Sequence, residues 1–433
     1  MGALIDSLLA APPPATSEPD WLAPLRAGAL AALRTHGLPA ARAEAWKYTS
    51  LRALDARRFE ATDPAARDHA VAPELLDLPG AEGPRLVFVN GALRADLSTL
   101  AALPAGLELV PLSRALATGD AAARVALAPR AGSPEDAFAQ LNTALAREGA
   151  LLRVAPGVRI DAPVQLLHLG VAGAADVAWH LRHRIELGAG SALCLIERHA
   201  GAGHAHLGNV ALAADIGAGA SLQLLQLQEA AEASSLIRRS DLSLAAGARV
   251  DATALEFGAA LSRHDVLVRL DGREAHFASR GCFALRSRQH GDTRLDVRHE
   301  VPDTRCDLLW RGVADQRAHG VFRGAITIAA GADGSAAALS NKNLLLSPQA
   351  EIDTQPVLEI YADAVQASHG ATVGQLDERA LFYLRSRGVP AAQARAMLTL
   401  AFCAEVLDAI AAPALREHLA GRLQAQLPPA AEA

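Results

Sequence analysis

Aromatic residues make up only 4% of the 433-residue chain, so stacking platforms for sugars or bases are scarce. Cysteine is nearly as sparse. Cys194, Cys282, Cys306 and Cys403 form no Cys-x-x-Cys pair, which excludes a local zinc knuckle or ferredoxin motif but not cysteines that meet only in the fold. The ordinary reading of each is a small buried hydrophobe, and Cys306, in Asp303-Thr304-Arg305-Cys306, is the one to test first. Basic excess is absent: the formal net charge is −6, which leaves no footprint for nucleic acid or an anionic membrane. No apolar run approaches the ~20 residues needed to cross a bilayer. The N-terminal MGALIDSLLAAPPP has no positive residue before its short apolar run, unlike a secretory signal, and Asp6 stands where myristoylation needs Ser or Thr. A cytoplasmic protein is expected.

Catalytic signatures are missing too. Gly331-Ala332-Asp333-Gly334-Ser335 is not followed by the Gly-Lys-Ser/Thr that cradles phosphate, so the chain is not expected to hydrolyse ATP. Neither a dinucleotide-binding glycine motif nor a nucleophile elbow occurs, and no spacing singles out a Ser, His, Asp triad. The sequence reads as a non-enzyme.

Hydrophobic residues make up 51% of the chain, much of it alanine, and small side chains suit tightly spaced elements. The length favours two or three structural units. Residues 1–150 read as mixed α/β. A helix is expected over 18–36, where Glu18 and Asp20 precede Trp21, Leu25, Leu30 and Leu33, and Gly37 with Pro39 ends it. Residues 64–83 contain loop. Leu86–Val89 is a strand entering a tight Asn90-Gly91 turn, and Phe138, Leu141 and Leu145 before Gly149 mark a short amphipathic helix.

Residues 151–373 change to short β-type segments divided by glycine turns. Gly188, Gly217 and Gly247 recur at 29 to 30 residues, and Gly272 to Gly331 spans about twice that, a period that marks a solenoid. Alternation such as Ser221-Leu222-Gln223-Leu224-Leu225-Gln226-Leu227-Gln228 stacks inward side chains into a long narrow core. Periodicity alone leaves a β-helix and an elongated β-sandwich both open.

Residues 374–433 read as helical. Leu376, Ala380, Leu381 and Leu384 follow Gly374 at helical spacing, and Gly388 with Pro390 stops that helix. Met397, Leu398, Ala401, Phe402, Val406 and Leu407 form the next apolar face, with Glu405 and Asp408 opposite, either solvated or part of a docking surface.

Histidines supply the candidate ligands. His199, His204 and His206 form the densest group, but Gly201, Gly203 and Gly208 around them favour a solvated loop over a metal site. His290 and His299 read as an exposed polar rung without a role. His369 sits in a Ser-His-Gly turn between the strand-like Ile352–Ile360 and the helix after Gly374. Taken bare, it is an ordinary surface residue.

Long matched runs change that weighing. Asn341–Ser347, Glu351–Tyr361, Ser368–Gly374 and Phe382–Gly388, with Gly37-Leu38-Pro39, Arg42, Glu44 and Trp46-Lys47-Tyr48-Thr49 near the other end, closely resemble the SufB/SufD family of iron-sulfur cluster assembly proteins, and its SufD branch in particular. The resemblance implies a right-handed parallel β-helix core flanked by an α/β N-terminal region and a C-terminal helical region. It implies a non-catalytic scaffold that pairs with a SufB-like paralogue and docks a SufC-like ATPase through its C-terminal helices, with Phe382–Phe402 coupling the two. His369 would be a metal ligand for iron or a nascent cluster at the partner interface. One histidine cannot hold a cluster alone. Some relatives carry a cysteine two residues before this histidine, whereas here that place is Ala367, so the missing thiolate is expected from the partner. An open strand edge near Asn341–Tyr361 would accept a homologous chain, and the isolated chain can form a two-fold homodimer the same way. Two rival readings are a carbohydrate-active β-helix enzyme with an acid/base carboxylate pair and a purely structural interaction protein.

Overall fold

The computed structural model describes residues 2–10, 19–40, 42–61, 69–128 and 136–427. From Val164 to Gly374 the chain runs through strands of eight to eleven residues that go alternately to two sheets, each ten-stranded in all. Within this run each strand pairs in parallel with the strands two before and two after it, except at the two ends. Ser221 lies abreast of Ala192 on one side and Arg249 on the other, so successive turns of this wall advance by 29 and 28 residues. The result is a parallel β-solenoid of about eight turns with two strands per turn, not a β-sandwich.

The alternation in sequence is what closes this core. Leu193, Leu195, Leu222 and Leu224 on one wall meet Leu212, Leu236, Leu242 and Leu244 on the other, all buried. The interior is narrow, and its rare aromatics need space made for them. A Cβ on Gly281 would stand 2.4 Å from the Trp310 ring, so glycine there is what admits the indole.

A column of left-handed residues turns the chain at one corner. Gly157, Gly190, Gly219 and Gly247 have φ of 64° to 72°, and each donates its N–H to the carbonyl of the turn above, at Ala189, Ala218, Ala246 and Arg273. Glu274, Asp303 and Gly334 continue the positive-φ series at 62°, 60° and 75°. This explains the imperfect glycine period. Gly188 and Gly217 lie two residues before the column whereas Gly247 lies in it, so the series read from sequence mixes two positions.

The two ends of the solenoid differ. At the first, the hairpin Arg85–Val89/Ala92–Leu93, turning at Asn90-Gly91 with φ of 48° and 82°, and the antiparallel pair Leu107–Pro111/Ala150–Val154 terminate the two sheets. At the other, Glu351–Ile360 and Gln366–Gly374 are the last strands, with no described strand beyond either.

Helices cover the outer faces. The N-terminal region lays Leu4, Leu33, Leu54, Phe59, Phe138 and Leu141 on one sheet; its helix Leu22–His36 ends at Gly37 as expected, while Glu18 and residues 64–68 lie outside the described residues. The Trp46–Thr49 block is a clasp. The Arg263 guanidinium lies 3.9 Å from the centroid of the Trp46 ring, and Thr49 Oγ1 donates to buried Asp292 at 2.6 Å and contacts His290 Nε2 at 2.9 Å. Thr49→Val should therefore cost about 1–3 kcal/mol in urea unfolding, because it strips a hydrogen bond from a buried carboxylate.

The C-terminal helices pack on the other sheet, where Cys403, Val406, Leu407, Leu415 and Leu419 meet Ile196, Leu227, Leu255 and Phe257. The first of them, Glu378–Ser386, starts at Asp377, whose side chain caps the Arg379 N–H. In helix Ala391–Ala404 the buried side is Ala394, Thr399 and Cys403, while Met397 and Ala401 face outward. The face read from large apolar residues is thus only partly right: Val406, Leu407 and Phe402 do pack against the sheet, but within the helix the small side chains Ala394, Thr399 and Cys403 form the buried side. No helix among the described residues is long and apolar enough to cross a membrane.

Candidate functional site at the open end of the solenoid

His369 lies within the strand Gln366–Gly374 and not in a turn. Ser368 and Gly370 look like turn formers, but Ala336–Leu345 offers a parallel template, and a backbone ladder overrides such weak local preferences. Register places His369 abreast of Leu339 and Ala367 abreast of Ala337. Leu339 and Ala337 belong to the interior core. His369 therefore occupies an inward position on the last turn, one step above that core, and it is exposed.

The same rim carries exposed apolar side chains. Ile360, Tyr361 and Val373 are 43%, 64% and 42% exposed, and Ile360 and Val373 continue the interior rows that begin with Ile328 and Asn343. Both rim strands also present unpaired backbone groups, a template for another strand.

Among the described residues, two groups of three His, Cys, Asp or Glu side chains bring their ligand atoms within 4.8 Å of one another: His168, Glu197 and His199, and His319, Glu351 and Asp353. His369 belongs to neither, and neither contains a cysteine. Cys306 is buried in the interior with its Sγ 3.3 Å from His299 Nε2, and burial pushes its thiol up to about 12. It is a packed thiol, not a thiolate ligand. Cys282 and Cys403 are buried together under the C-terminal helices, and burial of Cys194 on the same wall raises its pKa too.

Other histidine expectations are corrected. His204 and His206 are buried, not solvated, with rings stacked at 4.3 Å. His206 accepts from the Val177 N–H at Nδ1 (3.2 Å) and donates from Nε2 to the Val171 carbonyl (2.9 Å), so both nitrogens are occupied. His204 and His206 do lie in the loop between strands Ala192–Ala202 and Leu207–Ile216, as expected, and glycine makes room for the rings there: a Cβ on Gly170 would lie 2.0 Å from His204 Nε2. His299 faces the interior and is fully buried, and His290 is partly covered by Thr49, so neither forms an exposed rung. Glu405 is more than a solvated charge. Its Oε2 receives Arg311 Nη2 at 2.6 Å and Nε at 3.1 Å, tying the helical region to the sheet.

His199, read with His204 and His206 as part of a solvated loop, is buried in the strand Ala192–Ala202, and the interior polar groups around it were missed by sequence reasoning. Glu197 and His199 share the inward face of Leu193 and Leu195, with His199 Nε2 3.0 Å from Glu197 Oε1, and Gln226 Nε2 donates to Glu197 Oε2 at 2.7 Å. Further along, buried Arg238 grips both oxygens of Glu256. The signal was present: counting alternate residues within each strand, from Leu193, Leu222, Leu236 and Val250, puts all of these inside.

Comparison with known proteins accounts for nearly the whole chain. Residues 170–402 match the model of the SUF system FeS cluster assembly, SufBD core domain, and residues 15–166 match the SufBD protein N-terminal region. The iron-sulfur cluster assembly protein SufD of Escherichia coli K12 is 31% identical over 92% of this chain and 90% of its own length. A SufBD family iron-sulfur cluster assembly protein of Synechocystis is 29% identical over 93% of this chain and 90% of its own. One from Mycobacterium tuberculosis H37Rv is 29% identical over 68% and 75%. The chain belongs to the SufBD family of iron-sulfur cluster assembly proteins, in its SufD branch.

Proposed function

We propose that the chain is a non-catalytic scaffold subunit of a cytoplasmic Suf-type complex, paired through its open end with a SufB-like paralogue. The observation that carries this reading is the uncapped last turn. Solenoids need a polar cap at each end to stay soluble and unassociated, yet here Ile360, Tyr361 and Val373 are exposed at two strands that, among the described residues, are paired on one side only. A homologous solenoid adding its own strands would satisfy the backbone and bury the rim. In isolation a second copy of this chain can take the same place.

His369 is then a ligand for the iron of a nascent cluster, which is cargo rather than a resident cofactor. Its lack of a neighbouring cysteine fits a site whose thiolates come from the partner. In this reading residues 1–150 close the first end, residues 151–373 carry the interface, and residues 374–433 dock a SufC-like ATPase. Phe382 and Tyr383, 73% and 57% exposed, are the anchors offered there, and the Arg311–Glu405 contact transmits movement of the helices to the sheet. Ile360→Asp with Val373→Asp should weaken paralogue binding at least about tenfold, since buried rim anchors each contribute more than ~1 kcal/mol. Co-purification and sedimentation of the tagged pair test this, and undiminished pairing would refute the interface.

A further inference from the structure

We propose that His168, Glu197 and His199 form a divalent transition-metal site inside the solenoid, separate from His369 and its cargo. The parallel ladder sets His168 abreast of His199, and Glu197, two residues earlier on the same strand, faces the same way. All three are about 2% exposed, and their ligand atoms lie within 4.8 Å of one another. Two imidazoles and a carboxylate are the donor set of many zinc sites that keep one position open, and they also accept iron(II).

Charge points the same way. Glu197 is a carboxylate in a dry interior, where an uncompensated charge is costly. The Arg238 guanidinium is bound to Glu256. A divalent cation supplies the missing positive charge.

The supporting contacts match those of ligating residues. His168 Nδ1 lies 3.3 Å from the Arg198 carbonyl, an arrangement that turns Nε2 toward the cluster, and Gln226 occupies Glu197 Oε2, leaving Oε1 for the ion. His183 borders the open position. Its Nδ1 accepts from the Ala150 N–H at 3.0 Å, so its Nε2–H points at His168 Nε2, 2.9 Å away. Binding exchanges this hydrogen bond and that between His199 and Glu197 for bonds to the ion, and the His199 ring proton moves from Nε2 to Nδ1.

The test uses the full chain. Protein from zinc-rich medium should carry about one zinc per chain, and stripped protein should take up cobalt(II) with the strong visible bands of a four-coordinate site. Glu197→Gln and His199→Gln should each lower affinity for cobalt(II) at least about tenfold, whereas His369→Ala and His319→Gln leave it unchanged. Should the interior variants fail to fold, X-ray absorption on zinc-loaded wild-type protein decides, through a first shell of nitrogen and oxygen with imidazole scattering. Wild-type protein that takes up neither metal overturns the proposal. So do full binding by the folded interior variants, loss of binding in His319→Gln, or a sulfur-containing shell.

Discussion

His369→Ala is expected to abolish cluster assembly while leaving the chain as stable as before. The imidazole is exposed on the last strand, and exposed substitutions of this kind usually change stability by less than about 0.5 kcal/mol. Loss of the proposed iron ligand should act on assembly instead. In anaerobic reconstitution with the SufB-like and SufC-like partners, cluster formation should fall at least about tenfold, with pairing intact by sedimentation. His369→Cys should recover part of it, because thiolate suits iron at least as well as imidazole. A merely structural His369 would show no such rescue. Unchanged cluster formation in the alanine variant would remove this residue from the metal site.

The largest effect on stability is expected from Arg238→Ala. Arg238 and Glu256 are buried side by side in the solenoid interior, and deleting one member of such a pair leaves the other charge unpaired in low dielectric, at about 3–5 kcal/mol. The same pair sets part of the acid response. Burial alone would raise the pKa of Glu256, but Arg238 and His264 hold it down to about 2. A carboxyl whose folded pKa lies below its unfolded value of roughly 4.3 stabilises the fold above that pH and loses this contribution as pH falls toward 2. The loss amounts to roughly 3 kcal/mol. Buried His180 and His183, lowered by burial to about 3 and 4, add in the same direction at higher pH, because below roughly 6.5 the unfolded chain takes up protons that the folded chain refuses. Wild-type stability should thus decline from about pH 6.5 downward, and Arg238→Ala should move the acid transition upward. Urea unfolding at a series of pH values measures both. A loss under about 1 kcal/mol at neutral pH would mean the pair is relieved in some other way.

How far the sequence could be read depended on whether local pattern or long-range stacking decided the outcome. Ser221–Leu224 alternates polar and apolar, and the hairpin at Asn90-Gly91 needs two left-handed residues in succession, so both were legible from neighbours alone. The turn corner was less so, because Glu274 and Asp303 take the left-handed place that glycine fills elsewhere, and the period read from glycines slips there. His369 looked like a turn residue because its strand exists only by virtue of the turn beneath it. In the interior cluster, His168 and Glu197 were hidden and His199 was read as part of a solvated loop, when their place in the alternation sends all three in. Helix Ala391–Ala404 misled through size, since Ala394 and Thr399 make the contact that Met397 and Leu398 seemed to promise.

The central claim is that the last turn is completed by a homologous partner, and backbone hydrogen exchange tests it most directly. On adding the SufB-like chain, amides of Glu351–Ile360 and Gln366–Gly374 should become strongly protected, while the hairpin-capped first end stays as it was. Protection confined to the C-terminal helices, with these two strands exchanging as fast as in the chain alone, would contradict the account.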